Sequence, residues 1–211
     1  MTNLCKSNTP ATYLDFDQLI EWLNKKGSEL FGKTYKIDAK DYDTVYQILV
    51  YVYRDKEHAA KHGIDLGKGL IVAGPVGCGK TSLMQLLLHL DLAIKPYQMV
   101  SVRSISLQFA DRGIPLIKEY GGLGQKQPSI FCFDELGGEP TTRFYGIKAN
   151  VMREILLLRY ELFMQKRVPT YVTTNLSPAE IESTYGTPLR SRLREMFNLV
   201  AFPEDSYDKR R

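Results

Sequence analysis

The chain has 211 residues, 44% of them hydrophobic and 25% charged, which is enough for one well-buried domain and too apolar for a disordered chain. Its 28 lysines and arginines against 24 acids leave a net charge of +4, with the excess late in Arg190, Arg192, Arg194, Lys209, Arg210 and Arg211. That balance allows either a solvated basic surface with a frayed tail or contact with a nucleic acid, and demands neither. Cys5, Cys78 and Cys132 form an odd set without C-x-x-C spacing, which argues against a disulfide framework. No apolar run reaches the ~20 residues of a bilayer span, and the first ten residues lack the layout of a secretory leader. A reducing cytoplasm, with no membrane partner, is the expected setting.

Taken in chain order, Phe16, Leu19, Ile20 and Leu23 recur at helical spacing, as do Tyr42, Val45, Tyr46, Leu49, Val50 and Tyr53. Asp15 or Asp17 can cap the first helix and Asp38 or Asp41 the second, with a loop or helix end between them in "KKGSELFGK". His58 and His62 stand four apart but lack the intervening glutamate of a zinc protease and a third ligand, so they are read as surface or helix-end residues. Residues 1–65 are thus expected as an N-terminal helical region and 66–211 as the core.

From Gly69 onward, short apolar runs ("GLIVA", "YQMVSV", "SIFCF", "PTYVTT", "NLVAF") alternate with helix-compatible stretches such as "KTSLMQLLLHL" and "IKANVMREILLLRYELFMQKR". Strand and helix in alternation predict parallel strands joined by crossover helices, hence a three-layer α/β sheet covered on both faces.

Between the first strand and the helix after it lies "GPVGCGKTSL", where Gly74, Gly79, Lys80 and Thr81 satisfy G-x-x-x-x-G-K-[ST]. The segment Gly74, Pro75, Val76, Gly77, Cys78, Gly79, Lys80, Thr81 and Ser82 is a phosphate cradle: glycines let successive N–H groups point inward, and the helix start adds partial positive charge. Lys80 is expected on the β- and γ-phosphates of ATP, and the Thr81 hydroxyl on Mg²⁺. Cys78 occupies a free position, as a reactive thiol or simply as a tolerated small residue.

The strand "SIFCF" ends in Asp134 and Glu135, at the sheet edge where ligands of parallel sheets bind. Asp134 can hold Mg²⁺, directly or through water, and Glu135 can orient or deprotonate the water that attacks the γ-phosphate. A kinase for a small metabolite has no use for such a carboxylate, which disfavours that alternative. The next strand ends in Thr173, Thr174 and Asn175, and Asn175 is expected beside Glu135, within reach of the water or the γ-phosphate.

"GPVGCGKTSL", "FCFDELGGE", "EILLLRYELF", "YVTTNLS" and "YGTPLRSRL", in that order, resemble the replicative-helicase-loader (DnaC) and transposition-ATPase (IstB) group of AAA+ ATPases over roughly Gly69 to Phe202. The resemblance implies an ASCE-type P-loop NTPase fold with N-terminal helices and no C-terminal lid, since only "EDSYDKRR" follows the last strand. It implies Asp134 and Glu135 as metal and catalytic acids, Asn175 as first sensor, and Arg192 as an arginine finger acting on a neighbouring subunit. The segment "YGTPL" departs from the "YGERI" common in the group, so Arg190 or Arg194 competes for the charge. Further implications are a nucleotide-dependent homo-oligomer, a replicative helicase or transposase as client, and single-stranded DNA near Arg103, Arg112, Lys118 and Lys126. The competing reading is an adaptor that binds ATP without turnover.

Overall fold

The computed structural model describes residues 15–140, 142–144 and 147–209. Cys5, the first ten residues and the pair Arg210 and Arg211 fall outside them.

Helix α1 (Phe16–Phe31) is capped by Asp15, whose side chain accepts from Gln18 N–H at 3.2 Å, so Asp15 and not Asp17 is the cap. The helix runs through Gly27, in the stretch the sequence reads as a loop or helix end; a Cβ there would lie 2.1 Å from Tyr35 Cδ1, so the glycine admits the ring of the segment folding back. Asp38 caps a short 3-10 turn, after which come α2 (Tyr42–Tyr53) and α3 (Lys56–Lys61). His58 sits in α3 beside Asp55, 2.7 Å away, and both His58 and His62 pack edge-on to Tyr46.

The alternating part follows as β1 (Gly69–Ala73), α4 (Lys80–Leu87), β2 (Gln98–Ser101), α5 (Val102–Arg112), α6 (Ile114–Gly121) and β3 (Phe131–Leu136). It continues with a small antiparallel hairpin, β4 (Thr142–Phe144) and β5 (Ile147–Ala149), with Thr142 opposite Ala149. Then come α7 (Val151–Lys166), β6 (Tyr171–Thr174), α8 (Pro178–Tyr185), α9 (Thr187–Met196) and β7 (Phe197–Ala201). The hairpin replaces the start of the helix that spacing predicts from Ile147. Asn150 begins α7 instead, its side chain accepting from Arg153 N–H at 3.0 Å. The stretch 102–121 is likewise two helices, parted at Gly113, whose φ of 59° favours glycine.

β2, β3, β6, β1 and β7 lie side by side in that order and pair in parallel throughout. All five predicted runs are therefore the five strands, and β6 is inserted between β1 and β3. In register, Ile71 sits beside Val172 on one side and Leu199 on the other. On one face, Leu23, Val45, Leu49, Leu83 and Leu87 pack with Leu70 and Val72, so the N-terminal helices and α4 share one core. On the other, α5, α7 and α9 bury Ile105, Phe109, Ile155, Leu156 and Leu193 against Ile71, Phe133 and Val172. Near-continuous apolar strands are what two covered faces require.

Arg159 is fully buried in α7, a position that helical spacing on a charged stretch does not reveal. Its guanidinium donates to Thr170 Oγ1, Ser129 O and Pro169 O at 2.8, 3.0 and 2.9 Å, fastening α7 to the strand starts opposite the glycine loop. Burial lowers its pKa to about 10, which leaves it charged at neutral pH. Among the described residues, no helix is long and apolar enough to cross a membrane.

Candidate functional site

β1 feeds directly into the glycine loop. Gly77 and Gly79 adopt φ of 83° and 97°, conformations that an L side chain resists, and Gly79 is the N-cap of α4. Lys80 Nζ donates to Gly74 O at 2.8 Å and to Pro75 O at 2.7 Å, so the lysine is laid along its own loop. Cys78 is fully buried, and burial pushes its thiol up although Lys80 and Lys209 pull it the other way. That environment fits a small residue filling space, not a reactive thiolate.

The ends of β3 and β6 meet this loop. Thr81 Oγ1 donates to Asp134 Oδ1 at 2.8 Å, joining the first turn of α4 to the strand end. Thr173 Oγ1 donates to the same oxygen at 2.6 Å and accepts from Glu135 N–H at 2.9 Å. Along a regular strand, neighbouring side chains point to opposite faces, so Asp134 and Glu135 should diverge. The β3–β6 ladder slips between Phe133 and Leu136, and Glu135 takes a left-handed φ of 64°. The bulge turns both carboxylates toward one space, at the cost of a strained backbone at the acid itself.

Lys80, Thr81, Ser82, Asp134, Glu135 and Asn175 all line that space, a cavity of about 440 Å³. Val76, Gly77 and Gly79 border it too, while Gly74 and Pro75 border an adjoining cavity of about 610 Å³ that Asn175 also reaches. Asn175 does not cap the next helix; Ser177 does, in a capping box with Glu180. The cavity fits a nucleotide triphosphate with its metal: inward-turned glycines, a buried lysine, and the hard oxygens of Thr81 and Asp134 in contact suit phosphate and Mg²⁺.

The arginines separate. Arg192 is exposed on α9 and stacks over Tyr160, 5.5 Å from the ring centre, outside the cavity. Arg190 pairs with Glu182 and, with Arg194, borders the adjoining cavity, where its Nε is buried with no hydrogen-bond partner among the described residues. Arg112 of the basic stretch is paired with Glu119.

Sequence reasoning missed three contributors. Thr173, in β6 just before Asn175, lines the same cavity, and its place two residues ahead of that asparagine marks it in retrospect. Phe31, Thr34 and Tyr35 bring the α1–α2 connection to the cavity wall. Lys209, which the sequence leaves open between a solvated tail and a nucleic-acid contact, is buried and lines the cavity.

The strand order with β6 between β1 and β3, the glycine loop after β1 and the acids at the end of β3 are the layout of a P-loop fold of the AAA+ type. The crystal structure of the DnaC helicase loader aligns over 85% of this chain and 99% of its own, with a TM-score of 0.52 and 20% identity. The chain thus has the fold of the DnaC-like AAA+ group that its motifs resemble. No protein-family profile matches it. An uncharacterized AAA family ATPase of Sinorhizobium fredii is 26% identical over 130 residues, 61% of this chain and 39% of that protein. An uncharacterized protein of Schizosaccharomyces pombe is 28% identical over 128 residues, 54% of this chain and 26% of that one. The chain spans well under half the length of these curated relatives.

Proposed function

We propose that the chain is an ATP-binding, Mg²⁺-dependent ATPase, weak as a single subunit, that acts as a helicase-loader-like factor in DNA replication or transposition. The observation that carries the reading is the convergence of Lys80, Thr81, Asp134, Glu135 and Asn175 on one cavity. Lys80 and the loop N–H groups bind the β- and γ-phosphates, and Thr81 and Asp134 hold Mg²⁺, which when bound offsets phosphate charge. Asn175 positions the attacking water, whose proton passes to Glu135 as its oxygen bonds to the γ-phosphorus and ADP leaves. Arg192, which lies outside its own chain's cavity, is the group assigned to a neighbour's γ-phosphate, so hydrolysis rises on assembly into a homo-oligomer.

A nucleic-acid role is supported by a groove of about 1110 Å³ at the strand starts, away from the glycine loop. Arg54, Lys68, Lys95, Lys126, Lys166 and Arg167 line it, and among the described residues no acid does. The reading also takes the partners as DNA and a replicative helicase or transposase, and the setting as the cytoplasm.

Phosphate release by wild type and Glu135→Gln, with and without single-stranded DNA, tests the reading. Release that depends on Glu135 supports an ATPase. Equal background rates with intact ATP binding give the chain to the non-hydrolysing adaptor.

A further inference from the structure

Residues 203–209 turn back from β7 and come to rest on the glycine loop. Lys209 N–H donates to Gly77 O at 3.0 Å, and Lys209 Nζ donates to Cys78 O at 2.5 Å. The same ammonium meets Asp41 Oδ2 at 2.5 Å; the aspartate side chain is fully buried and the lysine side chain 4% exposed. Ser206 Oγ donates to the other Asp41 oxygen at 2.6 Å, and the rings of Phe202 and Tyr207 flank the ammonium. The seat is close: a Cβ on Gly77 would lie 2.2 Å from Asp208 Oδ1, and one on Gly79 3.0 Å from Lys209 Cδ.

A loop that turns its N–H groups toward phosphate must turn carbonyls the other way, and those carbonyls need donors. Lys209 supplies both donors, one from its backbone and one from its side chain, for consecutive carbonyls of the loop. Its charge is costly to bury and is compensated by Asp41, at the start of α2 and 168 positions away. A buried ion pair is a poor device for stability alone, because a matched apolar pair often does as well. What this one accomplishes is connection, joining the glycine loop, the N-terminal helices and the 203–209 segment at one point.

We propose that Asp41 and Lys209 are positioning residues for the phosphate loop, holding it in the form that receives nucleotide and tying that form to the seating of α2. The proposal rests on the nucleotide-binding reading above and adds two residues outside the G-x-x-x-x-G-K-[ST] motif to the site. Displacing α2 therefore loosens the loop, and bound nucleotide steadies α2 in return.

The test compares wild type, Lys209→Met, Asp41→Asn and the double variant by three measurements: thermal melting, titration with a fluorescent ATP analogue and magnesium, and amide hydrogen exchange at residues 77–80. Each single variant is expected to melt earlier, to bind nucleotide on the order of tenfold more weakly, and to exchange faster in the loop. The double variant, with no charge left unpaired, should regain most of the melting temperature but not the affinity. Lys40→Ala, which breaks the exposed Lys40–Asp205 pair on the same segment, should change none of the three. Affinity that returns together with stability in the double variant, or stays intact in the singles, overturns the proposal. Failure of wild type to bind nucleotide would sink the ATP reading instead. The clamp would then stand or fall on loop exchange, and equal rates in wild type and Lys209→Met would overturn it.

Discussion

The Thr173 hydroxyl donates to Asp134 Oδ1 at 2.6 Å and accepts from the Glu135 N–H at 2.9 Å, so a single side chain on β6 fixes both acids of β3. Thr173→Val keeps the shape and removes both bonds. Magnesium-dependent ATP affinity is expected to fall roughly tenfold, about the worth of one hydrogen bond to a charged group, while Thr173→Ser stays near wild type. Titration calorimetry with and without magnesium checks this, and a fall of the same size without magnesium would take Thr173 out of the metal site.

Glu135 holds a left-handed backbone at the bulge. Glu135→Gln is expected to bind ATP normally and to lose roughly 10² to 10⁴ in hydrolysis, the range of a lost general base. Glu135→Gly should lose activity equally, yet be about 0.5 to 1 kcal/mol more stable than Glu135→Ala, because glycine relieves the strained φ. Chemical denaturation of the two variants decides the backbone part on its own.

Arg192 lies over Tyr160 and outside the cavity. Arg192→Ala is expected to bind ATP normally and to lose assembly-stimulated hydrolysis, a term of order 10³ to 10⁵ for a finger acting across subunits. Mixing it with Lys80→Ala should restore part of the rate, since each protein then supplies what the other lacks. Unaltered stimulation in Arg192→Ala would pass the role to Arg190 or Arg194.

Cys78 and Cys132 are both buried, and burial pushes both thiols up. Because the protonated form is favoured in the folded state, this contribution to stability is complete at neutral pH and fades only as pH rises above the ordinary thiol range through the raised values. Iodoacetamide should modify neither cysteine in native protein at pH 7.5 on the timescale of minutes, and both after denaturation. Mass spectrometry of the labelled peptides reads the outcome.

Arg159 satisfies two backbone carbonyls and the Thr170 hydroxyl in a fully buried place. Arg159→Met should cost about 3 to 5 kcal/mol by leaving those groups without donors, with little effect on nucleotide affinity in the protein that remains folded. Thermal melting and nucleotide titration of the same sample separate the two quantities.

The strands were legible because each is a short apolar run closed by polar residues, and the cradle because its spacing is chemistry: glycine where φ must be positive, lysine and threonine at the helix start. Asp134, Glu135 and Asn175, which line one cavity, were singled out by their order along the chain. Thr173 was not singled out, since a threonine in a strand reads as an ordinary β-former until its hydroxyl is seen on Asp134. Lys209 and Asp41 were opaque for a different reason: their partnership spans almost the whole chain, and a lysine among terminal charges looks solvated. The hairpin was hidden because Ile147 and Ala149 continue the helical spacing of α7 backward, whereas Asn150 caps the helix there.

The shared core of α1, α2 and α4 bears on how the molecule can be dissected. A fragment beginning at residue 66 would strip Leu70, Val72, Leu83 and Leu87 of their cover and leave the Lys209 ammonium facing an empty socket. Such a piece should precipitate or recruit chaperones instead of behaving as a minimal catalytic unit. By the same token, a protein that grips the first two helices from outside has a direct mechanical lever on the floor of the sheet.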